Sequence, residues 1–458
     1  MSVWISVGIV ILLGLIIFLF KPKWFLLYYV TIEPLVLPVI AWYGRINTYE
    51  ALNETKLKVL GTGSGTLLII VLLIALSRNR RNLQLSGVYS SFALLVFFLL
   101  VFYLTYNFDI SLLLTDVRQS LVPLMALTLM QVDRKLIPSA KSVLTVLIFF
   151  LIYEFIWCLL NLNGIHIYVC QYFENVTYRN AYGFNVDLVS GTFQRFSDLS
   201  DFLTTIFLFV CILFFYERRL SKKLFVFFSV MIISMVVISG SKVAIILIFF
   251  LLFFCSFSKW HEYKILNLSI LIILGAIVSL FTLFNFVNLS LPEISGLNRI
   301  TYQLSNIFYS FDKADSGTLT LSFYLLDNYF YRDPLFGNGL ATYGGSGAYG
   351  MTTFFKTDSR IAFILVEYGL LGFAAFMSYY FNLFKTVLQR TGHYRTMILS
   401  FTYFFLLTIT QPGFFGYIPL FLFILLSHVF SNKNDAIIPC KKKLCKYYDK
   451  AIMHESTL

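Results

Sequence analysis

The chain has 458 residues, of which 59% are hydrophobic, only 13% are charged and 51 are Phe. A soluble fold of this length could not hide so many apolar side chains. The net charge of +12 would point to nucleic acid in a soluble protein. Here the basic residues gather in short clusters between apolar runs, as cytoplasmic loops of membrane proteins do, and nucleic acid is excluded as a partner. Apolar runs of about 17–25 residues repeat along the chain, the length a helix needs to cross a bilayer. The expected fold is all-α: one polytopic transmembrane domain over residues 1–458, with about 12–14 spans and two large outer loops.

In chain order, the N-terminal stretch MSVWISVGIVILLGLIIFLFKPK lacks the basic start and small-residue cleavage site of a signal peptide and is expected to remain as a first span. A second span, roughly residues 24–43, contains Glu33-Pro34, a carboxylate and a helix breaker within the membrane. Such an acid either serves function or packs against a polar partner. An outer loop with Arg45 and Lys56 leads to a third span ending near residue 76. Arg78, Arg80 and Arg81 then mark the inner side.

A fourth span is expected at roughly 88–106 and a fifth from Arg118 to the Asp133-Arg134-Lys135 cluster. A sixth, roughly 142–160, carries Glu154. Residues 161–201 form a long outer segment ending SGTFQRFSDLSD, with Arg195 near the start of span seven. Span seven ends at Arg218-Arg219, span eight at the turn Ser239–Lys242, and span nine at Lys259; span ten covers roughly 265–287. The largest outer segment, about 288–357, precedes span eleven. Two last spans flank Gln411-Pro412-Gly413, and the basic tail CKKKLCKYYDK is placed inside. The six cysteines are scattered without C-x-x-C spacing, so neither a zinc site nor a disulfide framework is indicated.

The asymmetry between loops is the informative feature. Inner loops are short basic connectors, whereas two outer segments are long enough to fold over the membrane surface. Arg179 and Arg195 lie in the first and Arg299 and Arg332 in the second, with Arg360 just beyond it, all against the positive-inside bias. A guanidinium grips phosphate or pyrophosphate oxygens with its planar fork. Any one arginine can instead pair with a nearby acid such as Asp198, Asp201 or Asp333; the set of five points to an anionic ligand. Asp358 opens a helix, where it is either an N-cap or a general base for an attacking hydroxyl. Capping lowers a carboxylate's basicity, so the two roles compete unless Thr357 or Ser359 does the capping. The glycines at 344, 345, 347 and 350 either allow close backbone approach to a ligand or form a mobile loop. His166 is the only histidine expected outside, and no metal constellation is visible.

Three stretches resemble the O-antigen polymerase and O-antigen ligase superfamily of bacterial envelope proteins: SGTFQRFSDLSDF, GLNRITYQLSNIF, and DPLFGNGLATYG followed by TDSRIAFILVEYGLLGF. The last pair is similar to the family's ending at Pro334, Gly337, Gly339, Asp358, Glu367, Gly369 and Gly372. The resemblance covers roughly residues 185–385. It implies a glycosyltransferase of the bacterial inner membrane whose site and two large loops face the periplasm. Such an enzyme moves a growing glycan from undecaprenyl pyrophosphate to the non-reducing end of a lipid-linked repeat unit. The substrate partner is therefore an undecaprenyl-pyrophosphate-linked oligosaccharide in the bilayer, with room for a chain-length regulator, and no cofactor or metal is implied. Arg195 and Arg299 would hold the pyrophosphate, with Arg332 and Arg360 as weaker counterparts. Asp358 would orient or deprotonate the acceptor hydroxyl. Ligases carry His where this chain has Asp358, which favours polymerase over ligase. A transporter of lipid-linked sugar, the alternative from another class, should show internal repeats and polar sites at mid-membrane. This chain instead concentrates its polar residues in two unequal outer loops.

Overall fold

The computed structural model describes residues 3–78, 86–106, 110–171, 189–257, 326–327, 330–337, 360–388, 394–410 and 417–430. Among them there is no strand, and the framework is twelve apolar helices. They are α1 (Val3–Phe20), α2 (Pro22–Tyr43), α3 (Glu50–Arg78), α4 (Ser86–Tyr106), α5 (Ile110–Val132) and α6 (Ala140–Leu162). The second half of the chain adds α7 (Phe196–Tyr216), α8 (Lys222–Ser239), α9 (Lys242–Phe257), α10 (Arg360–Leu388), α11 (Tyr394–Thr410) and α12 (Tyr417–Phe430). Apolar runs become helices here because lipid offers no hydrogen bonds, so each backbone N–H and C=O must find its partner within its own segment. Stretches in α2, α3, α6, α7, α8 and α10 are long and apolar enough to cross a membrane, and the other six helices carry shorter apolar stretches. The chain is an all-helical polytopic membrane protein.

The termini follow local chemistry. Ser139 and Ser221 accept hydrogen bonds from the N–H groups of Ser142 and Leu224 and so cap α6 and α8. Gly240 ends α8 in the left-handed conformation, at φ 67°. Arg78, Arg134 and Lys135 stand at helix ends, where the sequence predicts basic clusters, and Lys222, Lys223 and Lys385 also stand at helix ends. Expected span ten, 265–287, lies outside the described residues, as does most of both large loops.

Two helices form the centre. In α7 every residue from Leu199 to Leu213 is buried, and in α12 every residue from Leu420 to Val429. They pack on one another; α7 also meets α8 and α9, and α12 also meets α5. Tyrosines tie the layers together. The Tyr379 hydroxyl donates to the Ser120 carbonyl at 2.5 Å, Tyr403 shares a 2.7 Å hydrogen bond with Thr204, and the Tyr29 ring stacks on Phe421 at 4.4 Å. Outer helices keep large apolar side chains exposed: Trp4, Leu12 and Ile16 on α1, Phe97 and Leu100 on α4, Phe149 and Ile156 on α6, Val226 and Val230 on α8. In water such a belt would be an aggregation surface; against lipid it costs nothing.

Among the described residues four helices depart from regular α geometry. Wide π-helical turns occupy Ile32–Val36 in α2, Leu57–Gly63 in α3 and Ile212–Tyr216 in α7. In α2 the cause is Pro34, which has no N–H to give the carbonyl one turn back. Gly61 and Gly63 loosen α3. The fourth, α10, breaks at Gly369 (φ 64°, ψ −168°).

Candidate functional site

The segment SGTFQR, which the sequence places in an outer loop, is a buried turn clamped to the end of α6. The Glu154 carboxylate accepts from the Thr192 N–H at 3.0 Å and from the Thr192 hydroxyl. The Asn161 side chain accepts from the Ser190 N–H at 3.3 Å, and the Gln171 amide donates to the Ser190 hydroxyl at 2.7 Å and the Phe193 carbonyl at 2.5 Å. Gly191, at φ 59°, lets this happen: a Cβ there would collide with the Glu154 carboxylate. Glu154, fully buried in the middle of an apolar helix, is thus the anchor of the turn. The turn ends at Arg195, exposed in extended conformation, immediately before α7 starts at Phe196. Helix α7 therefore begins inside the range 161–201 that the sequence assigns to the loop.

Beside Arg195 lies a charged cluster drawn from three helices. The Lys56 ammonium sits 2.5 Å from Glu33 Oε1 and 2.5 Å from Asp198 Oδ2. Glu33 belongs to the π turn of α2, Lys56 directly precedes the π turn of α3, and Asp198 stands in the first turn of α7. A carboxylate in the first turn also suits the positive end of the helix dipole. Glu33 is within electrostatic reach of Arg195, and the buried Asp201 within reach of Asp198, Glu33 and Lys56. A carboxylate as buried as Glu33 is costly without a cation beside it, and Lys56 supplies that cation. Helical interruptions of this kind recur at functional sites, and two of them meet across one salt bridge here.

A second junction joins the segment Asp333–Gly337 to the break in α10. The Leu370 N–H donates to the Pro334 carbonyl at 2.9 Å and the Leu371 N–H to the Leu335 carbonyl at 3.1 Å, so the loop caps the second half of the helix. Gly337 (φ 78°) and Gly369 (φ 64°) face each other so closely that a Cβ on either would lie 2.6 Å from the other's backbone nitrogen. Gly372 packs its Cα face against Phe98 of α4, where a Cβ would lie 3.0 Å from the ring. Pro334, Gly337, Gly369 and Gly372, read from the sequence as one pattern, therefore fold as one unit, with Glu367 buried beside it.

Of the candidate site residues, Arg195 is the one whose side chain is described. Arg332 closes a short 3-10 turn, Phe330–Arg332, packed on α10, and Arg360 is the first residue of α10. Arg299, Asp358 and the glycines at 344–350 lie outside the described residues. Among the described residues no group of His, Cys, Asp and Glu is arranged to hold a metal. Two departures from the sequence reading stand out. Lys56, expected in an outer loop, is a helical residue turned into the bundle. The polar residues are not confined to the loops either, since Glu33, Glu154, Asp201 and Glu367 are all buried on apolar helices. Glu33-Pro34 had flagged one end of the cluster. Lys56 carried no signal, because a lysine before an apolar run looks like any span boundary.

Neither a protein-family model nor a curated protein matches this chain. The class is accordingly defined by fold and composition: a polytopic helical membrane protein with a charged cluster set into its bundle.

Proposed function

We propose that the chain is a repeat-unit polymerase of the O-antigen type, a glycosyltransferase that extends a bacterial envelope glycan at the periplasmic face of the inner membrane. In this reading the chain has 12–14 spans, and the loops at 161–201 and 288–357 are periplasmic, opposite the short basic connectors. The acceptor hydroxyl of a lipid-linked repeat unit attacks the anomeric carbon of the donor glycan. The bond to undecaprenyl pyrophosphate breaks, and the departing diphosphate keeps the electron pair. Arg195, Arg299 and, more weakly, Arg332 and Arg360 grip that diphosphate and offset its growing charge. Asp358 takes the hydroxyl proton.

The observation that carries the reading is Arg195 itself. An exposed guanidinium at the head of α7, on a turn whose backbone is fixed by Glu154, Asn161 and Gln171, supports a preorganised anion contact. Arg195→Ala, Arg299→Ala and Asp358→Ala are each expected to abolish chain extension at unchanged protein level, read as surface glycan reduced to a single repeat. Long-chain glycan persisting in all three would rule the assignment out.

Two observations favour the transporter as a second reading: the buried acids and the interrupted α2 and α3, features that transporters place at their substrate sites. A strain lacking the chain separates the two. Loss of a polymerase leaves single-repeat glycan outside, whereas loss of a transporter leaves lipid-linked repeats on the inner leaflet. A ligase would instead leave long lipid-linked chains unattached.

A further inference from the structure

We infer that Lys56 is a positioning residue for the diphosphate site headed by Arg195, acting by holding Glu33 and Asp198; this rests on the reading above. The cluster brings together five ionisable groups: Glu33 on α2, Lys56 on α3, Arg195 at the head of α7, and Asp198 and Asp201 inside α7. Glu33 and Asp198 are the two acids that Lys56 touches, each at 2.5 Å. Glu33 also lies within electrostatic reach of Arg195, and Asp198 stands three residues after Arg195, on the first turn of the helix that Arg195 opens. Lys56 offsets one of the three carboxylates around Arg195, and without it their excess would grow. An approaching diphosphate would then meet repulsion, and the guanidinium would be drawn toward Glu33 and Asp198.

The geometry gives the lysine leverage on position as well as charge. Lys56 directly precedes the π turn Leu57–Gly63, and Glu33 lies within the π turn Ile32–Val36, so the ion pair fixes two wide turns relative to each other. Asp198 transmits that registration to α7, and the clamped turn 190–194 sets Arg195 from the opposite side. An apolar packing contact would hold the helices equally well; an ammonium bridging two carboxylates beside a cationic ligand contact is a charge-setting arrangement.

The test measures binding of farnesyl diphosphate to the purified full-length protein in lipid nanodiscs by calorimetry, with farnesyl monophosphate as the reference. Wild type is expected to prefer the diphosphate, and Arg195→Ala to lose that preference. Lys56→Met should weaken diphosphate binding by about tenfold or more, the size of one charge-assisted contact, while changing monophosphate binding less. Lys56→Arg should bind as wild type does. The double variant Lys56→Met with Glu33→Gln, which removes the bare buried acid and keeps the net charge of wild type, should recover diphosphate binding and keeps the test sound should Lys56→Met alone fold poorly. Diphosphate binding lost in Arg195→Ala yet intact in Lys56→Met overturns the role given to Lys56 and leaves the reading of Arg195 standing. A folded double variant that still fails to bind overturns the charge-setting role given to Lys56. If wild type shows no diphosphate preference, or Arg195→Ala retains it, the polymerase reading fails and this inference with it.

Discussion

At the scale of single residues, the arginine the sequence singles out is set in place by residues of quite different character. Arg195 is exposed, but its neighbours are not: Thr192, Phe193 and Gln194 are buried, and the carboxylate that fixes Thr192 sits fully buried on α6. A buried carboxylate left without donors would be expensive, so Glu154 and the Thr192 N–H hold each other as firmly as any helix contact. Gly191 makes the fit possible. Gly191→Ala forces a side chain into a left-handed backbone and against the carboxylate, and should cost about 1–3 kcal/mol. A lower unfolding temperature of the purified protein, with chain extension reduced in step with folded protein, is the expected result. Arg195→Lys is the complementary change. It keeps the charge but loses the fork, so chain extension should fall by about tenfold or more while stability holds. Equal activity in Arg195→Lys would show that only a point charge is needed there.

At the scale of elements, the chain was legible wherever one helix carried the signal and opaque wherever two had to meet. Expected boundaries at roughly 2–20, 88–106 and 142–160 fall within a few residues of α1, α4 and α6, because apolar length and flanking basic residues are local properties. The interruptions were harder. Glu33-Pro34 announces a disturbance in α2, but nothing local says that Lys56, on another helix, will answer it. The glycines at 337 and 369 read as one motif in sequence, yet their mutual contact is a fact of packing: two left-handed glycines whose missing side chains let loop and helix touch backbone to backbone. Gly369→Ala puts a Cβ against the Leu335 carbonyl in a region of φ and ψ that only glycine occupies comfortably, and Gly337→Ala does the same to Glu367. Each should destabilise by about 1–3 kcal/mol, measured by thermal unfolding in detergent. Because both substitutions break one contact, their costs should not add: the double variant should lose clearly less than the sum. Additive losses would mean that the two glycines serve separate structures.

For the whole molecule, the physical question is which way the charged cluster faces. Two ends of the bundle can be told apart by chemistry alone. One carries Arg78, the Asp133–Lys135 turn and the Lys222-Lys223 pair; the other carries Asn163-Gly164 after α6, the clamped turn and Arg195. In the proposed reading the first end, with its short basic connectors, faces the cytoplasm and the second end faces outside. The assignment rests on α6 crossing the membrane, for which its length and apolarity suffice. Arg134 and Asn163 bracket that helix and make the cleanest pair of reporters. In a background with the native cysteines replaced by serine, Asn163→Cys should react with a membrane-impermeant maleimide in intact cells. Arg134→Cys should react only after the membrane is opened. Should the pattern reverse, Arg195 would face the cytoplasm, away from any polymer assembled outside, and an enzyme of the periplasmic face could not be built on this chain.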